Sequence, residues 1–483
     1  MPEELPEASP ARGRTLRRAI ALVVALCVLG GLCLVASSLW DRSRLQRALR
    51  AIEQRGEPVV LPASEETQAG RAARAWLQPF GEAEGEVGEW TLDGAEGIAR
   101  FLELPEGRSL DPQARAQIEK LRACVGDDGV EAHVNGLLKD GVRPERWNEC
   151  DRAFLSTRVF AFPRVRELLA APIPGQPLDP RPGTGLDRVP DQLPCARIAE
   201  RALIAQASAR LASGEAVAIL SCEEKALQVA ALFDRQAGLI ASQSRTYFRS
   251  YALLIARIAL AQLPPDAGLE PMDGPLAGIE DERAQFRRAL LEERAMGNEC
   301  YAQIARSGSV SGLPKVGAPS AWLGFDQLAY LSTFGQMIEI AERGRPKRIG
   351  AELEALGDRA RADVAPWSRL TLPVANRLLP RPSDTWSALR EQRAWIDLVR
   401  LGLRVRRMSV VDARNAVSDS TDSFGDGPYH AREESDGLLA IWSVGRNGRN
   451  DGAPSETEFE QAGDEEYSLR ADRDDLVVRV RMR

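Results

Sequence analysis

Adjacent acidic residues are the side chains whose types and spacing in this sequence could support catalysis. They include Glu223–Glu224, Glu292–Glu293 and Asp474–Asp475, and two carboxylates that flank a glycosidic bond can hydrolyse it. These pairs lie on charged segments, and Asp and Glu are rarely buried without a partner, so solvated surfaces are the favoured interpretation. Ser221 and Lys225 could form a nucleophile and its base, but residues four apart are also ordinary neighbours on a helix surface.

The motifs of several enzyme classes are missing from the sequence. It contains neither G-x-x-x-x-G-K-[ST] nor H-E-x-x-H, and the segment Gly308 to Gly312 has Val310 where a nucleophile elbow needs serine. Its 2 histidines, His133 and His430, are too far apart to suggest a ligand pair on one helix, and so few histidines argue against histidine-based acid–base catalysis. We therefore predict a protein without enzymatic activity, and a hydrolase that uses dispersed carboxylates is the alternative.

An apolar segment at residues 19–40, AIALVVALCVLGGLCLVASSLW, is the element around which the chain is organised. It carries no charge and has the length that a helix needs to cross a bilayer core, about 20 residues. Four arginines precede it and predict a cytoplasmic N-terminus: Arg12, Arg14, Arg17 and Arg18. Four more follow it: Arg42, Arg44, Arg47 and Arg50. A cleaved signal peptide is the alternative, but its apolar region would be shorter, about 7–15 residues.

These observations predict a single-pass membrane protein whose body lies outside the cytoplasm. The chain of 483 residues has a net charge of -7, and its basic residues are dispersed, so nucleic acid is not an expected partner. Outside the apolar segment, cysteines that could form disulfides or pack as small apolar side chains stand at Cys124, Cys150, Cys195, Cys222 and Cys300.

Hydrophobic spacing predicts a mainly α fold with a small C-terminal β-rich unit. The predicted segments are a cytoplasmic tail (1–18), a transmembrane helix (19–40), an N-terminal helical region (41–171), a Pro/Gly-rich linker (172–194), a helical bundle or hairpin array (195–408) and a β-rich tail (409–483). The block that starts at Cys195 resembles tetratricopeptide hairpins, but one clear unit does not make a solenoid, and an irregular bundle is the alternative.

Particular helices and strands are predicted within this plan. Four later helices are expected at about 280–306, 321–343, 350–363 and 383–408, the last capped by Ser383 or Asp384. The sequences LLAIWSV, from Leu438 to Val444, and LVVRV, from Leu476 to Val480, predict β-strands.

Several passages resemble known proteins. Residues 392–403, 422–432, 436–452 and 474–480 resemble the C-terminal part of uncharacterised single-pass membrane proteins of planctomycete-type bacteria, and residues 239–260 resemble their helical middle. The tail is in turn similar to the C-terminal region of type II secretion pseudopilins. The chain lacks the Phe-Thr-Leu-Ile-Glu processing signature of true pseudopilins, and residues 41–408 separate its apolar segment from the tail. Assembly into a pilus is therefore not predicted.

The resemblance to pseudopilins implies a calcium site in the tail. Calcium takes six to eight oxygen ligands, and the matching positions here are Asn447, Asn450, Asp451 and Asp474. A solvated Gly/Asn turn is the alternative, because these residues also serve turns for conformational reasons. No other cofactor is expected.

We predict a membrane-anchored extracytoplasmic scaffold or interaction protein of the bacterial envelope. Its partners would be the membrane, through residues 19–40, and other proteins. The alternatives are an envelope hydrolase and an accessory component of a secretion or pilus-like apparatus.

Overall fold

A computed structural model describes the chain at residues 40–61, 67–82, 163–179, 192–212, 216–307, 320–362, 374, 378–425, 427–434, 437–450, 452 and 475–483. In these residues the protein is mainly helical, with one three-stranded antiparallel sheet. The prediction of a mainly α fold with a small β unit is therefore confirmed. The predicted transmembrane helix lies outside the described residues except for Trp40. The described helices include none with the length and apolar character to cross a membrane.

The described chain has six helices in an N-terminal group and six in a C-terminal group. The first comprises α1 (residues 40–54), α2 (Gln68–Glu82), α3 (Pro163–Ala170), α4 (Leu193–Ala212), α5 (Ala216–Ala231) and α6 (Gly238–Gln262). The second comprises α7 (Asp273–Ala277, after a 3₁₀ turn at Glu270–Met272), α8 (Glu282–Ser307), α9 (Ser320–Arg343), α10 (Pro346–Ala362), α11 (Pro382–Val405) and α12 (Val410–Ser418). The strands are β1 (His430–Glu433), β2 (Leu438–Ser443) and β3 (Leu476–Arg481).

The helix α6 is central to the fold. It packs against α4 and α5 and also against α8, α11 and β3. Alanines at its contacts, among them Ala252, Ala256 and Ala259, are fully buried, and their small side chains let neighbouring helices approach closely. The positions that the sequence places on one helical face therefore become the centre of a core.

Helices α8 to α11 enclose a second core, which α1 joins. Phe286, Phe334 and Trp386 are buried there, and Ile52 of α1 packs among them. The predicted helices at 280–306, 321–343 and 350–363 match α8, α9 and α10 to within a few residues. The predicted cap of α11 is wrong, because the N-cap is Arg381 and Pro382 begins the helix. Proline suits the first helical position, since its missing N–H has no partner there in any case.

The sheet has the order β1-β2-β3, with Ile441 of β2 opposite Val478 of β3. Both predicted strands are confirmed as β2 and β3. Helix α11 packs against the sheet at Gly402, where an added Cβ would lie 3.0 Å from side-chain atoms of both Leu260 and Val480. Glycine at this position therefore lets α6, α11 and β3 meet.

Candidate functional site

The adjacent pair Glu223–Glu224 does not form a catalytic pair of carboxylates. Glu223 is 2% exposed and its Oε1 has no hydrogen-bond partner, whereas Glu224 is exposed on the same helix, α5. Burial, and then the charge of Glu224, raises the pKa of Glu223 to about 8. A carboxyl group enclosed in this way binds a proton at neutral pH but does not reach a substrate.

Glu200 of α4 is a second buried carboxyl group, and the sequence analysis missed it. Its side chain is 0% exposed and neither oxygen accepts a hydrogen bond. Burial raises the pKa of Glu200 well above its ordinary value, so the neutral form is favoured in the fold. The available signal was its position between the buried residues Ala196, Ala199 and Leu203 on one helical face.

The pair Glu292–Glu293 has a structural role. The backbone N–H of Gly238 donates to Glu292 Oε2 at 3.0 Å, and that of Leu239 donates to Glu293 Oε2 at 2.9 Å. The two side chains of α8 thus cap the N-terminus of α6, where backbone donors lack helical partners. The expectation that this pair is simply solvated is wrong.

Ser221 and Lys225 do not act on each other. The Lys225 ammonium donates to the backbone carbonyl oxygen of Leu169 at 2.5 Å, while Ser221 is exposed. Lysine near the end of a helix satisfies a carbonyl that has no intrahelical donor. Lys225 therefore attaches α5 to the end of α3.

The predicted calcium ligands lie only in part within the described residues. Asn447 Oδ1 accepts from the backbone N–H of Arg449 at 2.8 Å. Asn450 Oδ1 accepts from Trp442 Nε1 at 3.0 Å and from the Gly452 N–H at 3.1 Å. Because a carbonyl oxygen has two lone pairs, calcium at Asn450 would have to displace one of these donors.

The other two predicted ligands, Asp451 and Asp474, lie outside the described residues. In the described part of the chain, His, Cys, Asp and Glu side chains do not gather in a group of three or more that could hold a metal. The calcium site therefore stays a prediction.

A buried aspartate, Asp422, holds the end of β2, where the loop that contains Asn447 and Asn450 begins. Asp422 Oδ1 accepts from Ser443 Oγ at 2.7 Å and from the Phe424 N–H at 2.9 Å, and Oδ2 accepts from the Val444 N–H at 2.9 Å. A carboxylate that accepts several hydrogen bonds can be buried at low cost. Asp422 therefore fixes the turn after α12 against the end of β2.

Helix α6 carries an accessible row of apolar and aromatic side chains. We call the residues Ile240, Tyr247, Tyr251 and Leu254 the α6 stripe; they recur at helical spacing along one face. Ile240 is 45% and Tyr247 40% exposed. The rings of Tyr247 and Tyr251 meet edge to face with centroids 5.0 Å apart, and their hydroxyls form a hydrogen bond. This packing fixes the orientation of both rings in the unbound protein.

Arg197 flanks the α6 stripe, whereas Arg257 lies further round helix α6 and packs against α11. The Arg197 guanidinium of α4 lies 5.5 Å from the centre of the Tyr247 ring, and that of Arg257 lies 3.9 Å from the Trp395 ring of α11. Burial, and then the charge of Arg479, lowers the pKa of Arg257 to about 10. Among the described residues neither Arg197 nor Arg257 forms an ion pair with a carboxylate. A stacked guanidinium still has N–H donors at its edge, which suit carboxylates.

Comparisons of this chain with protein-family profiles, with curated proteins and with solved structures find no match. The roles of its residues therefore have to be argued from their own contacts.

Within the described chain, Cys195, Cys222 and Cys300 form no disulfide. Cys222 and Cys300 are buried in the two cores. They pack there as small apolar side chains.

Proposed function

We propose that this protein is a membrane-anchored interaction protein of the bacterial envelope that binds a partner through the α6 stripe. Residues 19–40 would anchor it in the inner membrane, with the N-terminus in the cytoplasm and the body outside. The observation that carries the proposal is the pair of preorganised tyrosines, Tyr247 and Tyr251, beside Arg197. Tyrosine and arginine are enriched at the centres of protein interfaces.

The chemistry of the stripe indicates the kind of partner. From Ile240 to Leu254 it spans about 21 Å at a rise of 1.5 Å per residue, which matches a helix of about four turns. Recognition of an amphipathic helix uses apolar side chains at helical spacing laid along such a surface. Because the exposed Arg197 lies beside the stripe, the partner segment should carry a carboxylate beside its apolar face.

The buried carboxyl groups support interaction rather than hydrolysis. Glu200 and Glu223 are enclosed in the core, and Glu292 and Glu293 hold the end of α6. A hydrolase needs two carboxyl groups on either side of an accessible bond. The structure fully describes two of the three pairs that suggested hydrolysis: Glu223 is buried while Glu224 is exposed, and both members of Glu292–Glu293 accept hydrogen bonds from the start of α6.

Site-specific photocrosslinking in native membranes tests this proposal. A photoreactive phenylalanine analogue replaces Tyr247 in the full chain, and a matched chain carries it at Phe325, an exposed aromatic residue of α9. We expect a crosslinked partner from position 247 and not from 325, with an amphipathic, acidic peptide at the point of attachment. The substitution Arg197→Glu should abolish this crosslink, because it places a carboxylate beside the partner's own.

Two outcomes would contradict the proposal. One is equal crosslinking from positions 247 and 325. The other is a partner whose crosslink survives Arg197→Glu, since recognition would then not use the residues that define the surface.

A further inference from the structure

Helix α1 has two different faces. Leu45, Leu49 and Ile52 pack against the second core. Arg44, Arg47 and Arg50 are exposed on the other side of the helix, and Arg42 is exposed at the boundary between the two sides. Trp40, 64% exposed, lies at the start of the same exposed side. The helix is therefore amphipathic, and the face turned away from the body is basic with one aromatic residue.

The arginines of this face have no anionic partner among the described residues. Within the described residues their one hydrogen bond lies inside the helix, from Arg47 Nε to the Ser43 carbonyl oxygen at 3.4 Å. One turn beyond, Arg55 donates to both oxygens of Glu57 at 3.0 Å. The chain has 70 acidic residues, yet none of those described neutralises this face. Exposed cations that have no anionic partner in the described part of the chain attract an anionic surface.

The body holds α1 in a fixed orientation. Glu57, which follows the helix, forms an ion pair with the buried Arg294 of α8 at 2.9 Å. Asn298 Nδ2 donates to the Val59 carbonyl oxygen at 2.9 Å, and the Leu61 N–H donates to Glu299 Oε1 at 2.9 Å. These contacts join residues about 240 positions apart in the chain. They keep the basic face of α1 turned outward.

We infer that this face of α1, from Trp40 to Arg50, binds the anionic headgroups of phospholipids and holds the helical body in one orientation on the bilayer. The inference rests on the anchor of the proposed function, because residues 19–40 end where α1 begins. Guanidinium groups bind phosphate oxygens with two parallel hydrogen bonds. Tryptophan favours the level of the headgroups, and basic residues next to a membrane span are drawn to anionic lipids.

Covalent footprinting of arginine tests this inference. The full chain is reconstituted in nanodiscs of phosphatidylcholine alone or of phosphatidylcholine with phosphatidylglycerol, treated with phenylglyoxal and analysed by mass spectrometry. Labelling of the four arginines should fall about fivefold in the anionic nanodiscs, the effect of headgroup attraction on one basic residue. High salt should restore it. Arg359 and Arg449, exposed elsewhere on the chain, serve as internal controls whose labelling should not change.

A charge-reversal variant separates headgroup binding from anchoring. Arg44→Glu/Arg47→Glu should still elute with the nanodisc, because the anchor is intact, but Arg42 and Arg50 should be labelled equally in both lipid compositions.

Three outcomes would overturn the inference. Equal labelling of the native chain in the two kinds of nanodisc would exclude headgroup binding and leave the anchor standing. If high salt raises the labelling of Arg359 and Arg449 as much as that of the four α1 arginines, the salt effect is general and does not come from headgroup binding. A chain that does not elute with nanodiscs would refute the anchor itself, and the inference with it.

Discussion

The buried carboxyl group of Glu223 should make the protein less stable as pH rises. Its folded pKa is about 8, above the ordinary 4.5, because burial disfavours the charged form. Between these two values the folded protein binds more protons than the unfolded chain, so the free energy of unfolding falls with increasing pH. The stabilisation is fully present below pH 4.5 and is lost as pH rises through about 8.

The size of the effect follows from the two pKa values. A rise from 4.5 to about 8 corresponds to about 5 kcal/mol at 1.36 kcal/mol per pH unit. This is the upper limit, since water that enters around α5 would solvate the charge. Against a total stability of about 5–15 kcal/mol, the loss would still be large.

The substitution Glu223→Gln isolates this contribution. Glutamine keeps the shape of the side chain but does not ionise. The free energy of unfolding of the full chain is measured by urea titration with far-UV circular dichroism from pH 4.5 to 8.5. We expect the variant to gain stability relative to the native chain as pH rises, by up to about 5 kcal/mol. Comparing the two chains at each pH cancels the titration of other groups, including Glu200.

Glu224→Gln is the matched control, because Glu224 is the exposed neighbour on the same helix. It should keep most of the pH dependence of the native chain. Labelling of the buried Cys222 thiol gives a local measure of the opening of α5. If the difference between Glu223→Gln and the native chain is the same at pH 4.5 and 8.5, Glu223 is not held neutral by the fold and the reasoning is wrong.

Two further substitutions test the packing of α8. A Cβ at Gly297 would lie 1.9 Å from the hydroxyl oxygen of Tyr330, which is buried and donates to the Glu293 carbonyl oxygen, so Gly297→Ala should lower the free energy of unfolding by about 1–3 kcal/mol. Arg294→Met should cost about 1–3 kcal/mol, because it leaves the mostly buried Glu57 with one hydrogen-bonding arginine fewer. Both are measured by urea titration at neutral pH.

Each of these substitutions has a control, one in the neighbouring helix α9 and one in α8 itself. Gly335→Ala in α9 meets no atom within 4 Å and should stabilise the chain by about 1 kcal/mol, because alanine favours a helix over glycine. Arg287 lies 3.9 Å from Glu57 and is partly exposed, so Arg287→Met should cost less than about 1 kcal/mol. Equal effects of Gly297→Ala and Gly335→Ala, or of the two arginine substitutions, would contradict the packing described above.

The sequence alone determined the secondary structure of most described elements. The strands LLAIWSV and LVVRV, and the helices that match α8, α9 and α10, were predicted because hydrophobic spacing and strand propensity depend on residues close together in the chain. The resemblance, the calcium ligands and the membrane anchor were also sequence-level predictions. These three stay predictions. The anchor lies outside the described residues except for Trp40, and so do two of the four calcium ligands. No observation tests the resemblance.

Only the tertiary structure decided which polar residues are buried and what they bind. Glu223 and Glu224 are the same residue type on one helix, and the packing of α4 and α6 around α5 makes one neutral and leaves the other solvated. The pair Glu292–Glu293 became a cap because α6 begins beside α8. These outcomes depend on contacts between distant parts of the chain, and burial in such contacts is what sets the charge state and the partners of a polar side chain.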